Sequence, residues 1–292
     1  MNVLQDRHVL TLALNVPGPV AAARLAELGA TVIKVEPPGG DPLATVSPAW
    51  YRVLHKGLEV QHIDLKTPGG QAALAPLLAA ADLLLTANRP AALARLGLDW
   101  PALHAHFPRL TQVAIVGHPS PRADLPGHDL TYVAAAKLVD PPHLPRTLVA
   151  DLAGAERAVA AALAGLYGRD RGLDAGYSEV SLAQAAADFA APLEYGLTAR
   201  NGVLGGAFAG YNLYPTRDGW IAVAALEAHF WQRLRSAVQA LVDSAVNGSG
   251  ADIGTAELTR QDLERVFAEQ PTAFWEGWAR EQDLPIVGLG RR

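Results

Sequence analysis

The sequence predicts an α/β fold: a parallel sheet with helices on both faces, followed by a smaller second domain of α+β character. Three observations predict it. Short apolar runs alternate with amphipathic segments through the first half, the chain turns strongly helical after Leu130, and the composition shifts near Asn201. On that shift the domains are placed at residues 1–200 and 201–292.

The elements can be read in order. Residues 8–14 form a strand, 19–28 a helix and 31–35 a second strand, which together make a βαβ unit. Pro19 suits the first turn of that helix and Gly29 its C-terminal cap. Strands follow at 60–65, 82–86 and 110–116, with a helix over 68–80 and shorter helical pieces between 90 and 106. Helices at 154–167 and 181–195 flank a strand at 178–180. Arg217, Asp218 and Gly219 supply turn chemistry for a hairpin over 211–225. Helices at 227–241 and 272–281 are separated by a polar stretch, 243–255, with little reason to be ordered.

Composition narrows the function. The chain has 292 residues, half of them apolar, enough for a sizeable core. A net charge of -5 argues against nucleic acid, since neutralising phosphates needs a basic face. No cysteine is present, which excludes thiol catalysis, disulfides and Cys-based zinc sites. The opening MNVLQDRHVL lacks the basic segment and long apolar run of a signal peptide, so the expected location is cytoplasmic. The apolar stretch 148–166 carries Asp151, Glu156 and Arg157, so no membrane span is expected.

Three motif classes fail. The turn before the first helix offers only Gly18, where a dinucleotide site needs G-x-G-x-x-G so that the backbone can approach a pyrophosphate. His104 and His106 are two apart and no H-E-x-x-H occurs, so no metal site is expected. There is no G-x-S-x-G elbow for a serine hydrolase.

Six stretches, in order along the chain, carry a resemblance. They are Val16-Pro-Gly-Pro-Val with Leu28-Gly-Ala-Thr-Val-Ile-Lys-Val-Glu-Pro-Pro-Gly-Gly-Asp41; Asp64-Leu-Lys-Thr-Pro-Gly-Gly70; and Asn88-Arg-Pro-Ala-Ala-Leu-Ala-Arg-Leu-Gly-Leu98. Pro126-Gly-His-Asp129, Val149-Ala-Asp-Leu-Ala-Gly154 and Ala224-Ala-Leu-Glu-Ala-His-Phe-Trp231 complete them. Together they resemble the family III CoA-transferases, a group that includes formyl-CoA transferase, carnitine CoA-transferase and α-methylacyl-CoA racemase.

The resemblance implies a Rossmann-like large domain, a smaller domain and an interlinked homodimer. It implies an acyl-CoA substrate, with coenzyme A as part of that substrate and no tightly bound cofactor. By motif position it places Asn15, Val16 and Pro17 beside the adenine and pantetheine, and Lys66 and Arg95 at the nucleotide end; Arg89 joins the CoA-binding set. All four lysines, Lys34, Lys56, Lys66 and Lys137, precede residue 140, a placement compatible with a CoA phosphate site. Surface solvation is the plainer reading of each lysine taken singly. Family members continue past the segment matching Leu284-Pro-Ile-Val287, so the family's ring is expected to be open here, or closed differently.

Asp151 is the first catalytic candidate. In a transferase its carboxylate attacks the thioester carbonyl, giving a mixed anhydride, from which an aspartyl-CoA thioester forms and passes CoA to an acceptor acid. In a racemase, Asp151 and His128 stand on opposite faces of the α-carbon, one removing the proton and the other returning it. The backbone N–H of Asp129, at a helix N-terminus, would stabilise the enolate. His128 in Gly-His-Asp and Glu227 in Ala-Leu-Glu match the racemase pattern and favour that reading. A third possibility is a CoA-binding subunit without turnover. The plainer alternatives are local: Asp151 as a helix N-cap, His128 as a turn residue, and Glu227 as a cap for the helix that follows it.

Overall fold

A computed structural model describes residues 2–174, 176–245 and 258–289. They fall into two compact units, 1–190 and 191–292. The compositional shift near Asn201 falls inside the second.

The first unit is built on a six-stranded sheet of β1 (His8–Thr11), β2 (Thr31–Glu36), β3 (Glu59–His62), β4 (Leu83–Thr86), β5 (Thr111–Val116) and β6 (Tyr177–Ser181). Their order is β3-β2-β1-β4-β5-β6, and every pairing is parallel. That order is the one found in Rossmann-type sheets. Side chains alternate between two faces, as the pleat requires. Val9, Val32, Leu83 and Leu85 join one core with the helices Pro17–Glu27 and Val149–Asp170. Leu10, Val35 and Leu84 join another with the helix Pro68–Ala80.

Several boundaries differ from expectation for physical reasons. The first helix begins at Pro17, two residues early, because neither Pro17 nor Pro19 needs a backbone N–H in a first turn. The segment expected as one helix over 181–195 divides into Leu182–Phe189 and Ala191–Glu194. Pro192 has no N–H to continue the ladder, and the Ala190 N–H closes the first helix onto the Ala186 carbonyl at 3.0 Å. The long helix runs from Val149 to Asp170. Its start before Gly154 puts Asp151 inside the first turn.

The second unit carries the expected hairpin, β7 (Tyr211–Pro215) with β8 (Trp220–Ala224), and an unanticipated third strand, β9 (Ile286–Leu289), antiparallel to β8. Helices Ala228–Ala245, Arg260–Ala268 and Thr272–Glu281 accompany them, around a core that includes Tyr214, Phe267 and Trp275. Of the polar stretch 243–255, the first three residues close the helix Ala228–Ala245 and the remainder lies outside the described residues. No helix among the described residues is long and apolar enough to cross a membrane.

Candidate active site

Strands β1, β2 and β3 build outward one way and β4, β5 and β6 the other, so the sheet reverses between β1 and β4. Open parallel sheets bind ligands in the crevice beyond the carboxyl ends of the strands at such a reversal. A cavity of about 250 Å³ opens there. Asn15 and Pro17 reach it from the end of β1, Arg89 from the end of β4, and Gly117 from the end of β5. His128, Tyr132 and Asp151 enter it from two helices.

Asp151 is the third residue of the helix Val149–Asp170, whose N-cap is Leu148. It is therefore not the N-cap, and its carboxylate accepts no hydrogen bond among the described residues. Its backbone N–H instead donates to Asp129 Oδ1 at 3.0 Å. Burial pushes the Asp151 carboxyl up to about 6, and the Asp129 charge adds to that rise. Asp129, buried as the first residue of the helix Asp129–Ala135, lies behind Asp151 and does not line the cavity.

His128 is the N-cap residue of that helix, in extended backbone. Its N–H donates to Thr131 Oγ1 at 3.1 Å, and the same hydroxyl donates back to the His128 carbonyl at 2.7 Å. His128 lines the cavity that holds Asp151.

Asn15 adopts a left-handed conformation, with φ of 67°, which Asn tolerates better than most residues. Its N–H donates to Asp41 Oδ1 at 3.0 Å, an oxygen that also accepts the Leu43 N–H at 2.9 Å. The other Asp41 oxygen meets Lys34 Nζ at 2.5 Å. Lys34 is fully buried and also contacts Glu36 Oε1 at 3.0 Å and His55 Nε2 at 2.8 Å. Tyr51 donates to the same Glu36 oxygen at 2.8 Å. Lys34 is thus neither solvated nor available to a phosphate, contrary to both readings of the lysines. Glu36, Asp41 and His55 cluster as metal ligands would, but the ammonium already takes the cation's place.

A smaller cavity of about 160 Å³ lies beside the first, lined by Pro37, Asp64 and Lys66, and shares Leu14 and Asn88 with it. Asn88 Oδ1 is buried there without a hydrogen-bond partner. Of the remaining expected residues, Val16 turns into the core, and Arg95, exposed at the end of the helix Pro90–Arg95, lines neither cavity. Glu227 is exposed in the second unit, where its carbonyl accepts the Trp231 N–H at 2.9 Å.

Tyr132 was not anticipated. The available signal was its place four residues after His128, which puts both on one side of a helix.

The family model for CoA-transferase family III matches residues 4–290. The chain belongs to CoA-transferase family III. It is 33% identical over 262 residues to succinyl-CoA–D-citramalate CoA-transferase of Chloroflexus aurantiacus, covering 80% of this chain and 64% of that enzyme. It is 28% identical to α-methylacyl-CoA racemase of Homo sapiens, covering 93% of this chain and 74% of the racemase. Among solved structures, a hypothetical protein from Mycobacterium tuberculosis matches with a TM-score of 0.82 and 25% identity, over 99% of this chain and 86% of that one. Family III thus includes both CoA-transferases and a racemase among the relatives of this chain.

Proposed function

We propose that this family III chain acts on an acyl-CoA thioester, and that its reaction is a 1,1-proton transfer at the α-carbon of a 2-methylacyl-CoA. One observation carries the reading: Asp151, with its carboxyl pushed up to about 6, and His128 line the same cavity. A carboxyl tuned toward neutrality is suited to both taking and returning a proton. Two bases on opposite sides of the α-carbon explain inversion, because one base alone tends to return the proton to the face it left. Asp151 takes the α-proton as an ionised base while the protonated His128 supplies one from the other side, and the reverse direction exchanges their roles. Asp129 holds Asp151 in place through the backbone hydrogen bond. CoA enters as part of the substrate, with Asn15, Pro17 and Arg89 at the reacting end and Lys66 in the neighbouring cavity. Glu227 belongs to this reading only through its match to the racemase pattern.

A second reading, transfer of CoA between carboxylic acids, is favoured by the transferase names of relatives and by the unengaged Asp151 carboxylate, which is free to attack a carbonyl.

Incubation with a 2-methylacyl-CoA in deuterated water separates them. Proton transfer places deuterium at C2, and both Asp151→Asn and His128→Ala abolish it. CoA exchange between acids without deuterium at C2, with Asp151 trapped by hydroxylamine, would instead establish transfer. Silence in both assays with CoA still bound would indicate a binding subunit.

A further inference from the structure

We infer that the Tyr132 hydroxyl is a hydrogen-bond donor to the thioester oxygen in the Asp151 cavity, a side-chain group that stabilises negative charge there during reaction. This rests on the reading that the cavity receives an acyl-CoA thioester, and it holds for either proton transfer or CoA transfer.

The ring of Tyr132 sits in a built bed. A Cβ at Gly117 would lie 2.3 Å from the Tyr132 oxygen, and one at Gly127 would lie 2.5 Å from the ring. Neither glycine has positive φ, so what they supply is room. Tyr132 is 3% exposed, and the His118 ring meets it edge-on at 5.3 Å. Such enclosure leaves the side chain few rotamers.

The hydroxyl at the end of this fixed ring donates to no described residue, and it is not among the side-chain atoms sealed from solvent without a partner, so its donor is left for a visitor to the cavity. Tyr132 lines the cavity shared by Asp151 and His128, and the Asp151 charge acts on its phenol. An unspent O–H donor held rigidly at a reaction cavity is the arrangement that stabilises developing charge without reorganisation.

The proton stays on the oxygen. Burial raises the Tyr132 pKa, the Asp151 charge raises it further, and Arg89 opposes them. The phenol therefore donates as a neutral group beside an ionised base. As Asp151 removes the α-proton, the C–H electron pair moves into the carbon–carbon bond and the carbonyl pair moves onto oxygen, which Tyr132 then meets. In transfer, the same oxygen gains charge when the carboxylate adds to the carbonyl.

Tyr132→Phe keeps the ring in its glycine bed and removes only the donor. The expected result is a fall in kcat of about 10²–10³-fold with KM changed by less than about threefold. A second readout uses acyl-CoA carrying a 13C-labelled thioester carbonyl, bound to Asp151→Asn so that no turnover occurs. The carbonyl stretch should lie at lower frequency there than in the Asp151→Asn/Tyr132→Phe double variant, a difference that a purely structural role would not produce. A kcat for Tyr132→Phe within about threefold of the parent, or an identical carbonyl frequency in the two backgrounds, would overturn the inference. Full activity in Asp151→Asn would remove the underlying reading instead.

Discussion

A half-buried carboxylate with no hydrogen bond and a second carboxylate behind it is a group that stability alone would not select. Its folded-state pKa, about 6, is above the ordinary carboxylate value, so the folded chain holds this proton more tightly than the unfolded chain. The resulting destabilisation is absent below about pH 4 and complete once the pH has passed the folded pKa. Asp151→Asn should therefore raise stability at pH 7.5 by about 1–3 kcal/mol and leave it unchanged at pH 3.5, as read by thermal unfolding at both values. An equal gain at both pH values would contradict the assigned shift. At this scale Asp151 and His128 were legible as candidates because their types and motif positions point to chemistry, and the fold sets both on one cavity. Tyr132 was not, because a tyrosine on a helix reads as core until the two glycines beneath its ring are brought together by the fold. Val16 turns into the core for a related reason: a motif gives the loop, while the backbone decides which of its side chains face the cavity.

Among elements, the join between β1 and the helix Pro17–Glu27 is the tightest near the site. A Cβ on Gly18 would stand 2.1 Å from the Ala13 Cβ. Gly18 thus serves the packing of the helix against the segment that follows β1, which explains a lone glycine where a dinucleotide fingerprint would need three. Gly18→Ala should cost about 1–3 kcal/mol by overpacking and should raise KM by displacing Asn15 and Pro17. The Ala13→Gly/Gly18→Ala double variant, measured by thermal unfolding and KM, should recover most of both. The parallel sheet and the helix Pro68–Ala80 were readable from apolar periodicity and from prolines at helix starts. The strand Ile286–Leu289 was not, because four residues carry too little pattern and its pairing with Trp220–Ala224 is long-range.

Across the large unit, the placement of charge matters more than its amount. Lys34 reads in sequence as an ordinary strand lysine, yet it is 0% exposed and satisfied by two carboxylates and an imidazole. Its burial could not be inferred from the strand alone, since only Glu36 shares that strand and the other partners, Asp41 and His55, come from the segments that follow it. Lys34→Met should destabilise the unit by about 3–5 kcal/mol, because Glu36 and Asp41 would remain buried without their cation. Chemical denaturation checks this, and a loss below about 1 kcal/mol would show that the carboxylates find other partners. Glu36 also forms part of the wall of the cavity that contains Lys66. An anionic ligand approaching that wall meets a carboxylate whose charge is partly offset from within by an ammonium it shares with Asp41, so a lysine that never touches solvent sets how strongly the visitor is repelled.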